Sequence, residues 1–434
     1  MTQGKVAKLL NSFGVLLAGM IAVFLQSGSF KAFGVLFDDI VEEYKTSYMY
    51  AGWVLTFKDS VSFIVAGIVG ALLGGLQNKT LGVSGGFLFG LGFVLIGLLC
   101  RTSFQLFLFT GVTAVGEGLL YFSLYMSFLE HFDAETFPTA YSVRELFTYL
   151  GIVVIPILVD NFRRRYGLFG SYLLMGAVSW NTVLSGLLMK PKKGIAKIPG
   201  NKQKKEDAQT TNQEDDSNSI DNSREKSKHT HVELCSGALF YEHPQFVPFV
   251  VIQAFFSLTF ATWAIFLVPF GRSKGFPSEV AVLLSAIGGV GGFLGKIVVL
   301  VVFWYNRMNT IAAIVVPAIT CASSFSGYLV SHTFWGLALS SFCCGFTLAY
   351  ADGALGGTVP DHLCERHIRQ GMAVLFVCNG LAMQLGGIIS GAFLDSFGSY
   401  FVIFGFIIFL NIVEIPLGFL IFIYKLGGTT KECQ

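Results

Sequence analysis

Nine ionisable residues sit inside long apolar runs of this 434-residue chain: Lys31, Lys58, Asp59, Glu117, Arg144, Glu145, Lys296, Asp352 and Glu414. Placing such a charge in hydrocarbon costs about 2.5 to 3.5 kcal/mol on insertion scales, so these residues are expected to face a cavity or a partner. Two kinds of chemistry are open to them. A buried ammonium or guanidinium can hold an anion. A buried carboxyl, whose neutral form is favoured by desolvation, can carry a proton. Neither needs a cofactor or a metal, and none is expected. A Walker loop and a His-Glu-x-x-His pair are missing from the sequence, so ATP drive and zinc-based catalysis have no motif behind them.

Lys31 follows Gln26-Ser27-Gly28-Ser29-Phe30, small polar residues that place a wet stripe beside it. There an ammonium can meet an anion entering from outside, or snorkel to the interface beside Asp38 or Asp39. Lys296 follows Gly288, Gly289, Gly291, Gly292 and Gly295. That glycine density lets helices approach closely and lets backbone line a cavity. The setting suits a carboxylate ligand; the competing reading is a structural pair with Asp352 or Glu117. Lys31 and Lys296 are therefore the candidate substrate-binding residues, expected to share a solvated chamber at mid-bilayer. Neighbours on a helix point about 100° apart, so Lys58-Asp59 and Arg144-Glu145 are each expected to split between two helices. These four read as interhelix pairs, with gating or a proton relay as the alternative role. Asp352, in Ala351-Asp352-Gly353, and Glu117, in Gly116-Glu117-Gly118, are the natural proton carriers. Aromatics such as Phe122 and Trp263 read as packing.

The elements that must position these residues are membrane helices. The composition is 53% hydrophobic and 13% charged, where a soluble domain carries roughly a quarter charged residues. Mean hydropathy is +0.65. The net charge of +2 is too small to argue for nucleic acid. About 20 apolar residues cross the hydrocarbon core. Runs of that order fall near 12–36, 48–76, 81–100, 104–129, 138–160 and 167–189, and again near 245–270, 277–304, 310–331, 334–357, 370–394 and 398–424. The first run is too long for a cleaved signal and reads as a retained span. Residues 191–243 are polar and almost free of large apolar side chains, and are expected to form a disordered linker. The expected organisation is a bundle over 1–190, the linker over 191–243, a second bundle over 244–425 and a tail over 426–434. With both termini and the linker in the cytoplasm, 18 Lys+Arg fall inside and 7 outside, and ten of the 18 lie in the central loop counted from Lys190. Arg163, Arg164 and Arg165 dissent from that count. The eight cysteines lack paired spacing and read as buried thiols.

Two six-span halves about one polar loop resemble the layout of the major facilitator fold: an all-α membrane protein with 12 transmembrane helices in two six-helix bundles. Lys31-Ala-Phe-Gly-Val-Leu-Phe-Asp-Asp-Ile with Ala51-Gly52-Trp53-Val54 resembles the first and second spans of monocarboxylate transporters, a family within it. Arg164-Arg165-Tyr166-Gly167 through Met189-Lys190-Pro191 is similar to that family's sixth span, and Leu283-Leu284-Ser285 with Gly295-Lys296-Ile297 to its eighth. The resemblance implies that Lys31 helps to hold a substrate carboxylate, and that Lys296 stands where the family usually has an arginine. Lysine there keeps the charge but loses the bidentate fork. The family's acidic-Gly-Gly-Trp signature is replaced by Asn11-Ser12-Phe13-Gly14. Its Tyr-Phe-basic-basic motif reads His131-Phe132-Asp133-Ala134-Glu135, and its eighth-span aspartate has no equivalent among Gly288 to Gly292. A cation-based site survives these departures better than proton coupling.

The expectation is thus a plasma-membrane carrier of small organic anions, monocarboxylates or related carboxylates, working by alternating access. Its partners would be the substrate, the bilayer, a coupled H+ and a single-span accessory protein. The alternatives are a sensor that kept the fold and lost transport, and a carrier of amino-acid-like or other solutes. An intramembrane aspartyl protease is disfavoured because Asp59 and Asp352 lack its Tyr-Asp and Gly-x-Gly-Asp settings.

Overall fold

A computed structural model describes residues 3–72, 77–132, 136–189, 238–305, 308–363 and 365–426. All regular structure among them is helical, because in lipid a helix satisfies every backbone group within its own segment. The first half comprises Gln3–Tyr44, Tyr48–Leu72, Asn78–Leu99, Ser103–His131 and a long element, Phe137–Ser179, continued by Thr182–Leu188. The second comprises a short helix, Ala238–Glu242, then Phe246–Ser273, Ser278–Trp304, Ile311–Val315 running into Val316–Val330, Phe334–Thr358, Glu365–Phe397 and Tyr400–Leu426. The expected linker falls outside the described residues except for 238–243, and the expected tail except for residue 426.

The apolar stretch Thr139–Leu188 is 50 residues long. Straight, it would run about 75 Å, more than twice the roughly 30 Å hydrocarbon core. At Gly167 the backbone takes φ 67° and ψ −169°, a region essentially reserved for glycine. The chain reverses there and the stretch becomes the fifth and sixth spans. The described helices then make twelve crossings, numbered in order below, and residues 3 and 426 lie at one end of the bundle. That end is called the terminal end, and the opposite one the far end.

Tight far-end turns have local chemistry behind them. Thr102 accepts from the Gln105 amide while the Gln105 side chain accepts from Thr102, a capping box that starts the fourth span. Thr333 caps the tenth through the Gly336 amide. The halves meet along the first and seventh, second and eleventh, and fifth and eighth spans. Glycine makes the closest approaches: a Cβ on Gly387 would overlap the Gly52 carbonyl across the halves, and one on Gly345 the Gly288 carbonyl of the packed eighth span. Cys100, Cys321, Cys343, Cys344 and Cys378 are free thiols, buried or half-buried.

Candidate functional site

Lys31 is 1% exposed. Its Nζ donates to the backbone carbonyl of Trp263 across the interface between halves, at 2.9 Å, and lies 3.2 Å from the centroid of that indole ring. Among the described residues no carboxylate lies within ion-pairing distance of it. It therefore does not snorkel to Asp38 or Asp39, which engage arginines instead. Trp263 is fully buried, and its indole N–H donates to Tyr328, which donates on to Ser341.

Lys296 lies toward the terminal end and pairs with Asp352 of the tenth span at 2.6 Å. The lysine side chain is 5% exposed and the aspartate 41%, so the carboxylate is the wet member. The Lys296 ammonium lies 6.0 Å from the Tyr149 ring centroid.

The expected shared chamber is not open in this conformation. On the eighth span Trp263 packs against Gly288 and Tyr149 against Gly292, and Lys296 follows one turn later. Eight residues separate Gly288 from Lys296, about 12 Å of helix. Two aromatic rings fill the space that the glycines leave, and they stand between the lysines. The glycine stripe is legible in the sequence, but its occupants, which come from the fifth and seventh spans, are not.

The adjacent ion pairs depart from expectation in part: Lys58 does reach a second helix, but each basic residue also pairs with its own neighbour. Lys58 donates to Asp59 at 3.1 Å and to Glu117 of the fourth span at 2.5 Å. Arg144 pairs with its neighbour Glu145 at 3.0 Å. The 100° argument applies to Cβ directions; a long basic side chain curls back, and in a dry interior the nearest carboxylate offers the largest attraction. Arg144 is 1% exposed and stacks 4.5 Å from the Tyr141 ring centroid and 5.6 Å from that of Tyr121. Its Nε and Nη1 have no hydrogen-bond partner among the described residues.

At the far end polar contacts tie the halves together. Asp160, 1% exposed, accepts from Arg163 at 3.2 Å, Arg164 at 2.5 Å and Ser278 at 3.0 Å. Arg164 also pairs with Glu279, and Arg272 with Asp38 at 3.0 Å. Asp395 accepts from the first amides of the second span, Tyr48 and Met49, at 2.9 and 2.8 Å, a carboxylate at a helix N-terminus. Among the described residues no ion pair joins the halves at the terminal end. Arg163 and Arg164, which dissent from the charge count, are thus neutralised within this clamp. Sequence reasoning does not single out Asp160; the signal available is an acid three and four residues before two arginines, at one turn of a helix.

A family model described as the Major Facilitator Superfamily matches residues 19–382. The chain belongs to this superfamily. Its long apolar helices are those of a multi-pass membrane protein. Its relatives include human monocarboxylate transporter 14, 24% identical over 177 residues, which is 41% of this chain and 34% of that protein. Mouse monocarboxylate transporter 9 is likewise 24% identical over 177 residues, 41% of this chain and 35% of its own. The chain spans about a third of the length of these curated relatives. Among solved structures, a bacterial homologue of the human lysosomal transporter Spinster, inward-facing and unoccupied, superposes with a TM-score of 0.67. It is 15% identical, over 95% of this chain and 97% of that one. A POT family transporter in complex with 5-aminolevulinic acid gives 0.68 at 14% identity, over 96% of both chains. At these identities the likeness is one of fold.

Proposed function

We propose that this protein carries small organic anions, monocarboxylates or related carboxylate-bearing metabolites, by alternating access between a bundle over 1–190 and one over 244–425. The observation that carries the reading is Lys31, a fully buried ammonium with no counter-anion among the described residues, reaching from the first half onto the seventh span. Burying a cation without a carboxylate is costly unless something else offsets it. A substrate carboxylate does so when bound. Lys296 is the second cation, and Asp352 holds its place until substrate competes for the ammonium. Trp263 and Tyr149 divide the two lysines, and their displacement joins the two positions. The far-end clamp, with a wet Asp352 below it, fits a state that receives substrate from the terminal end. The lysine and arginine distribution supports a cytoplasmic location for that end and for the 191–243 linker. A plasma-membrane location, a coupled H+ and a single-span accessory partner belong to the same proposal.

Thermal unfolding of the purified protein against a panel of short monocarboxylates tests it. A bound ligand raises the midpoint by mass action, and that rise should vanish in Lys31→Met and Lys296→Met. A panel without any shift, or shifts equal in both variants and wild type, rejects the site.

A further inference from the structure

A cavity apart from the lysine pair lies inside the second half, where the seventh, ninth, tenth and twelfth spans meet. Its volume is about 20 Å³, enough for one water. The polar lining is Thr259, Cys321, Thr347, Asn411 and Glu414; the other nine lining residues are apolar, and no Lys, Arg or His is among them. Glu414 is 6% exposed and Thr259 1%. Glu414 Oε1 and Thr259 Oγ1 both lack a hydrogen-bond partner among the described residues. Their neighbours are engaged elsewhere: Asn411 donates to the Ile407 carbonyl at 2.8 Å, and Thr347 to the Thr320 hydroxyl at 3.3 Å. Pro317, also in the lining, brings no backbone N–H. The other titratable group in the cavity lining is the Cys321 thiol of the ninth span.

Among the described residues the lining offers an ionised carboxylate no counter-charge, and the cavity has no room for a water shell around it. The neutral acid removes that cost and gains a donor. We infer that Glu414 is a proton-binding carboxyl and that, with one water held between it and Thr259, it forms a coupling site inside the second half, separate from the lysines. A metal cation would need a shell of oxygen ligands, and four oxygen-bearing side chains among nine apolar ones do not supply it. The tenth span links this site to the other. Thr347, Ala351 and Leu355 line the cavity at helical spacing, while Asp352 points about 100° away to Lys296. A shift of that helix alters both sites together.

The assignment deepens the proton-coupled form of the proposed function, but its test reads the carboxyl itself and needs no substrate. Infrared difference spectra of the full chain in lipid should show the C=O stretch of a neutral carboxylic acid at neutral pH, lost in Glu414→Gln and kept in Asp352→Asn. Thr259→Val retains the acid and should shift the pH at which the band disappears. A band unchanged in Glu414→Gln, an identical pH midpoint in Thr259→Val, or a band that sodium removes at constant pH overturns the inference.

Discussion

Lys31, Lys58 and Lys296 are three buried lysines in three electrostatic settings. Lys58 has two carboxylates, Lys296 has one and Lys31 has a carbonyl and an indole face. Their responses to substitution should differ accordingly. Replacing an unpaired buried charge by an apolar group of similar length removes a desolvation cost. Lys31→Met should therefore unfold within about 1 kcal/mol of wild type in detergent, or later, while anion binding is lost; a destabilisation of about 3 kcal/mol would mark Lys31 as a structural strut. Glu117→Gln takes one counter-charge from Lys58 but leaves Asp59. A loss of about 1 to 3 kcal/mol is expected, read from the same melts, and an unchanged midpoint would mean that Asp59 alone satisfies Lys58.

At the scale of the element, two glycine positions make opposite predictions. Gly345 faces the Gly288 backbone, which cannot yield as a side chain would. Gly345→Ala should destabilise by about 1 to 3 kcal/mol. Gly405, in the twelfth span, faces open space, since a Cβ added there would meet nothing within 4 Å. Gly405→Ala should be neutral or stabilising by up to about 1 kcal/mol. Equal effects at the two sites would contradict this packing. Much at this scale is legible in the sequence. All twelve spans follow from run length, and the eighth-span stripe from glycine spacing, because both are local properties of the chain. Helix partners are not local. Nothing around Lys31 names Trp263, 232 residues away, and nothing around Glu414 names Thr259. Glu414 is visible as an intramembrane carboxyl, but its lack of a counter-charge emerges only when its neighbours are placed. The Lys58-Asp59 and Arg144-Glu145 pairs depart in part from expectation for another reason: backbone direction predicts the split, and side-chain reach lets each basic residue meet its own neighbour as well.

At the scale of the whole molecule, the proposed alternating access gives the far-end clamp the role of holding this conformation. Two of the contacts across the halves are Arg272–Asp38 and Asp395 on the second-span amides. Removing both in Asp38→Asn with Asp395→Asn should cost the clamped state about 1 to 2 kcal/mol, a shift of roughly tenfold in population. Thr56, fully buried at that interface, offers a reporter as Thr56→Cys: an impermeant thiol reagent added at the far end should label it about tenfold faster in the double variant, and an unchanged rate would locate the clamp elsewhere. The central claim remains that two lysines, one in each half, take a carboxylate through the bilayer. Its most direct measurement is uptake of the labelled monocarboxylates that bind, into proteoliposomes holding wild type, Lys31→Ala or Lys296→Ala at equal protein content. Uptake by wild type and near-background uptake by both variants is the predicted result; wild-type rates in both variants, or binding without flux in the wild type itself, would contradict it.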